Sequence, residues 1–172
     1  MKLKNFVLLA LWVLILSACS TENGTFTEPI TMYEKIEGTW NLSRIKQVDE
    51  LAVANKSGVT EKDLTDYFET FSISLNETSP YVPSTFSTSG APEILPVAGY
   101  WKLDNAFQNW DGRPVKVLFF SDAACSHKTG EVSITFVPGS VPLMELTMTR
   151  STNGTPFVSY VYTLIPVMQT NK

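Results

Sequence analysis

Two cysteines and a single histidine are all that 172 residues provide. With only Cys19 and Cys125 there is no disulfide framework to staple a small fold. With only His127, any serine- or cysteine-based nucleophile has one base available to it. No glycine-rich phosphate loop and no dinucleotide fingerprint interrupts the chain. Charged residues make up 17% and the formal net charge is −4, so the electrostatic footprint of a nucleic-acid binder is missing. The longest apolar run, residues 6–16, falls short of the ~20 residues that a membrane-spanning helix needs.

The remaining candidate chemistry is thin. In "DAACSH", residues 122–127, Asp122, Cys125 and His127 lie close in sequence, and thiolate plus imidazole is a metal-capable pair. A stable site needs three or four ligands, and no second cysteine or histidine accompanies them. Asp63 and Asp66 are paired carboxylates on a segment where a solvated face explains them. These absences predict a protein that is not an enzyme, holds no metal or cofactor, and binds no nucleic acid.

What is present begins at the amino terminus. Lys2 and Lys4 precede the apolar run, which ends in Leu16-Ser17-Ala18-Cys19. That order is an n-region, an h-region and a small-residue cleavage site. The tetrad resembles the lipobox of bacterial lipoproteins. The resemblance implies that residues 1–18 are a signal peptide and that Cys19 becomes the acylated first residue of the mature chain. Two or three acyl chains anchor durably where one holds weakly. Ser20 stands where many inner-membrane lipoproteins carry aspartate, which points to the outer membrane with the leaflet left open.

Loss of residues 1–18 removes two lysines and no acid, moving the formal charge to about −6, and leaves roughly 150 residues, enough for one domain. Residues 20–35 are rich in Ser, Thr, Asn, Gly and Pro and lack periodicity over their first half, so residues 19–35 read as lipidated cysteine plus flexible tether. The domain is expected to span 36–172.

Within it the period is two. Phe71, Ile73 and Leu75 alternate with Ser72, Ser74 and Asn76; Val132, Ile134 and Phe136 alternate with Ser133 and Thr135. Met144, Leu146 and Met148, then Val158, Tyr160, Tyr162 and Leu164, repeat the pattern. Asp111-Gly112, Gly130, Pro138-Gly139 and Asn153-Gly154 supply turn chemistry between them. Strands are predicted near 38–47, 69–76, 84–88, 97–104, 114–121, 131–137, 142–150 and 156–166. One short helix is predicted in "VTEKDLTDYFE", where Val59, Leu64 and Phe68 fall at helical spacing behind Thr60. About eight antiparallel strands with short connections favour an all-β, up-and-down β-barrel over a Greek-key sandwich, because closure removes exposed edges.

"IEGTWNLSRI", residues 36–45, and its echo "AGYWKLDN", residues 98–105, each place a glycine two positions before a tryptophan. Together with the lipobox they resemble lipocalin-like bacterial lipoproteins, in which such a tryptophan plugs the closed end of the barrel. Arg150 would then be a candidate to cover Trp40 through a cation–π contact. The resemblance implies a small apolar or amphiphilic ligand in the barrel.

Inward candidates, and so candidate ligand contacts, are Trp40, Phe71, Trp101, Phe119, Phe136, Tyr160 and Tyr162. A small eight-stranded barrel either fills its interior with such side chains or leaves room for one ligand. Residues 76–96 would be a long, proline-rich connection, with Tyr81, Phe86 and Ile94 as a lid or partner edge. Two functions follow: a membrane-anchored binding module, or a structural or accessory envelope lipoprotein with a filled core that docks onto a protein partner.

Overall fold

The computed structural model describes residues 27–77, 84–90 and 94–167. Residues 1–18, expected to be a signal peptide, and Cys19 and Tyr81 lie outside the described residues. A short helix α1 (Met32–Ile36) leads into the long strand β1 (Gly38–Asp49), followed by α2 (Glu50–Asn55), β2 (Glu61–Asp63) and a 3₁₀ turn at Thr65–Tyr67. Then come β3 (Ser72–Leu75), β4 (Ser84–Ser89), β5 (Ala98–Leu103), β6 (Lys116–Phe120), β7 (Lys128–Phe136), β8 (Met144–Thr152) and β9 (Thr155–Pro166).

From β3 to β9 every strand pairs antiparallel with the next, and β9 pairs with β1 to close the sheet. The other edge of β1 is shared: residues 38–41 pair with β3 and residues 46–48 with β2. The result is a closed, eight-stranded antiparallel barrel, with β2 as a short addition beside β1. All eight strands expected from alternation are present.

Alternation fixes the faces. Ile73 and Leu75 of β3, Phe86 of β4, Trp101 and Leu103 of β5, Val117 and Phe119 of β6, Val132 and Ile134 of β7, Met144 and Leu146 of β8, and Tyr162 and Leu164 of β9 form one buried cluster. Trp40 and Ile45 enter it from β1, where a register shift between Leu42 and Arg44 lets both face inward.

Three expectations are corrected. Phe136 does not face the core: it is 44% exposed, because the register shifts between Ile134 and Phe136 and sets it opposite Glu145 on the outer face. No α-helix forms over residues 60–68, only the single 3₁₀ turn at Thr65–Tyr67. Instead Asp49 caps α2, which ends at Lys56 in the left-handed region, and Glu61–Asp63 takes up the open edge of β1 beyond β3. A few helical residues gain little by themselves, whereas the unpaired strand edge offers ready hydrogen bonds. Leu64 and Phe68 pack on the core from the 3₁₀ turn instead, which is what their helical spacing reflected.

The third concerns the tether. The folded domain starts before residue 36, since α1 buries Met32, Tyr33 and Ile36 in the barrel. Its start is fixed by a capping box: the Glu34 amide donates to Thr31 Oγ1, and Glu34 Oε2 accepts from the Thr31 amide and hydroxyl. These bonds hold the Glu34 carboxyl below its ordinary pKa.

Candidate functional site

The two Gly-x-Trp segments converge on one end of the barrel, the end that α1 plugs. Gly38 adopts φ +111°, open to glycine and costly for other residues, and so turns the chain from α1 into β1. Trp40, two residues on, is 4% exposed and donates from its indole N–H to Ile36 O at 2.8 Å, tying β1 to the carboxyl end of α1. Gly99 is required for another reason: a Cβ there would lie 2.2 Å from Phe120 O. That close approach seats Trp101, which is fully buried, donates to Asn76 O at 3.0 Å and packs against Tyr33 with ring centroids 5.2 Å apart. Tyr33 Oη in turn accepts the Leu103 amide at 2.8 Å, and the Met32 amide donates to Ala106 O at 2.8 Å. The plug is thus bolted to β5 and to the connection that follows it.

Above the plug the interior is occupied by rings. Phe71 and Tyr162 stand 5.2 Å apart, Phe86 and Phe119 4.6 Å apart. At the opposite, far end, Leu95 folds back from the β4–β5 connection into the buried cluster. Of the inward candidates, Trp40, Phe71, Trp101, Phe119 and Tyr162 meet in this one cluster, and Tyr160 packs half-buried against it. Phe136 is excluded. Phe86, expected in a lid or partner edge, is instead an inward residue of β4, because residues 84–89 form a barrel strand whose side chains alternate. Ile94 is half-buried.

Arg150 does not cover Trp40. It pairs with Val158 in the far half of β9, whereas Trp40 pairs with Pro166 at the plugged end. At ~3.3 Å per residue the eight steps from Val158 to Pro166 separate the two by about 26 Å.

One polar atom inside is left over. The Tyr162 hydroxyl is buried without a hydrogen-bond partner among the described residues, and burial raises its pKa. At the plugged end Glu77 Oε1 is similarly buried and unpartnered, and its carboxyl is pushed up by burial and by the nearby charges of Glu37 and Glu34. It borders an open depression of about 310 Å³ with Glu37, Gly38, Leu75 and Asn76. A second depression, of about 240 Å³, lies between Met32, residues 108–115 and β7.

The "DAACSH" loop is organised by its aspartate. Asp122 accepts from the Ser126 and His127 amides at 2.8 and 3.2 Å and sits 3.2 Å from His127 Nδ1. These bonds lower its pKa, while burial raises that of the Cys125 thiol. Asp63 is spent in the same way, accepting from the amide and hydroxyl of Thr65 and from Arg44. Among the described residues no three His, Cys, Asp or Glu side chains come together as a metal site.

The plug residues Met32, Tyr33 and Ile36 were missed by sequence reading. Their signal was available in Thr31-x-x-Glu34, a capping-box spacing directly before apolar residues.

Fold and site together define a closed antiparallel β-barrel, helix-plugged at one end, with an aromatic interior. The chain belongs to the family described as a domain of unknown function, DUF5004, whose model matches residues 17–165. That description carries no lipocalin name. No curated protein and no solved structure matches the chain.

Proposed function

We propose that this chain is a non-catalytic accessory lipoprotein of the cell envelope, whose barrel is a packed scaffold and which acts through its surface on an envelope protein. One observation carries the reading: the largest inward side chains, Trp101, Tyr162, Phe71 and Phe119, are at most 1% exposed, and each packs against another ring, Phe71 on Tyr162, Trp101 on Tyr33 and Phe119 on Phe86. A barrel of this strand number has an interior just wide enough for side chains to fill it. Anchoring rests on the lipobox at Cys19, which falls inside the family match, and Ser20 favours the outer membrane.

Native mass spectrometry on the secreted domain, residues 24–172, tests the scaffold reading. The expected result is the bare polypeptide mass, unchanged after exposure to lipid and haem extracts. A discrete added mass that disappears on denaturation overturns it. Cys19→Ala tests the anchor: the variant should leave the detergent phase that the parent occupies, and unchanged partitioning refutes lipidation at Cys19.

A second reading, the small apolar or amphiphilic ligand in the barrel, draws on the Tyr162 hydroxyl. A fully buried donor without a partner is costly, and a bound hydrogen-bonding molecule would satisfy it. The same mass measurement decides between the two, and Tyr162→Phe should then abolish the added mass.

A further inference from the structure

Trp110 is 98% exposed, the largest exposed apolar side chain among the described residues. It sits in the connection between β5 and β6, which is held by its own hydrogen bonds. Asn109 Nδ2 donates to Arg113 O at 3.0 Å, Asn105 Nδ2 to Asn109 Oδ1 at 2.9 Å, and the Gly112 amide to Asn109 O at 3.1 Å. The ring is thus presented outward by a built loop. Phe107 on the same connection, Val141 between β7 and β8, Val167 beyond β9 and Ile30 before α1 are exposed as well. All five belong to the plugged end of the barrel, because each lies on a connection or terminus at the end where β1 begins.

The chain enters the barrel at the same end. The Met32 amide bonds to Ala106 O, four residues from Trp110, so the segment leading from Cys19 arrives beside this loop. Residues 19–31 reach at most ~45 Å when fully extended. The far end of the barrel stands roughly 30 Å further from the entry point, given the length of β1 and the usual tilt of barrel strands.

We infer that the plugged end is a membrane-facing surface: Trp110 inserts at the headgroup level of a zwitterionic lipid surface and holds the barrel end-on over its anchor. The inference rests on lipidation of Cys19. Tryptophan favours the membrane interface, where its ring is buried and its N–H stays wet. A single side chain binds weakly, but an anchor at the same end supplies the effective concentration that lets a weak contact persist. The charge of this end selects the lipid. Glu34, Glu37, Glu77, Asp104 and Asp111 outnumber Lys35, Arg113 and Lys116 there, so a zwitterionic surface fits this end better than an anionic one.

Tryptophan emission tests this with the full processed lipoprotein. Of the tryptophans after Cys19, Trp40 and Trp101 are buried, so a quencher reports on Trp110. The protein is placed in phosphatidylcholine vesicles with brominated acyl chains, beside unbrominated vesicles, and intact mass establishes the lipid on Cys19. The expected result is a loss of about a third of the emission in brominated vesicles. Trp110→Phe should show almost no such loss while staying vesicle-bound, with an unchanged far-ultraviolet spectrum. A lipid-bearing, vesicle-bound protein whose emission ignores the bromine and stays open to acrylamide overturns the inference and leaves the anchor standing. A chain whose mass shows no lipid on Cys19 overturns both.

Discussion

Replacing Trp40 by alanine removes the bolt between the plug helix and the first strand, and the structure sets the size of the loss. The side chain is almost wholly buried in the core cluster, opposite Ile73 of β3, and truncating a buried tryptophan costs about 3–5 kcal/mol. Its N–H bond to Ile36 O goes as well, at the carboxyl end of α1, where carbonyls lack helical partners. Trp40→Phe separates the two effects. It keeps a ring and forfeits the bond, for a cost of about 1–3 kcal/mol if the carbonyl stays dry. Because a domain of this size has about 5–15 kcal/mol in hand, the alanine variant should still fold but melt far earlier in urea. The assay is urea unfolding of the secreted domain followed by far-ultraviolet circular dichroism, which does not depend on the tryptophan removed. A fall in midpoint at constant slope reads as lost stability. A loss below about 1 kcal/mol for Trp40→Ala would refute the reading of this residue as the plug's anchor.

Two further substitutions probe the same end. Gly99→Ala should lower stability by about 2 kcal/mol, since its Cβ meets the Phe120 carbonyl, while Gly139→Ala, in open space, should change the thermal midpoint little; equal effects would contradict the close approach. Glu77→Gln should stabilise the domain at pH 7. The folded-state pKa of Glu77 is raised, so the protonated carboxyl favours folding; that contribution is complete below the ordinary glutamate pKa and is lost as pH rises through the raised value. The advantage of the variant in urea midpoint should therefore shrink as pH falls toward 4, and an advantage that does not change with pH would refute the burial argument.

By itself the sequence determined the eight strands of the barrel, though not the short β2 beside them. Period-two alternation is a local signal, explicit in β3, β7, β8 and β9, and Asp-Gly and Asn-Gly turns mark where neighbouring strands end. The signal also explains where reading stopped being reliable. Phe136 continues the alternation of Val132 and Ile134 in sequence, yet a bulge that depends on the partner strand turns it outward. Residues 60–68 carry helical spacing, yet a free edge on β1, visible only once β3 is placed, draws Glu61–Asp63 into the sheet. Arg150 and Trp40 were both on strands that touch β9, and only the register of β9 against its two neighbours sets them at opposite ends.

The interior was the deeper ambiguity, because a packed core and an apolar cavity are lined by the same residue types. Tertiary structure decided which rings face each other, bringing Phe71 to Tyr162 and Phe86 to Phe119 across strands far apart in the chain. It also decided which end is which, seating α1 beneath Trp40 and Trp101 and leaving Trp110 outside. Sequence fixes what each strand can bury; closure of the barrel, a contact between its first and last strands, fixes against what it is buried.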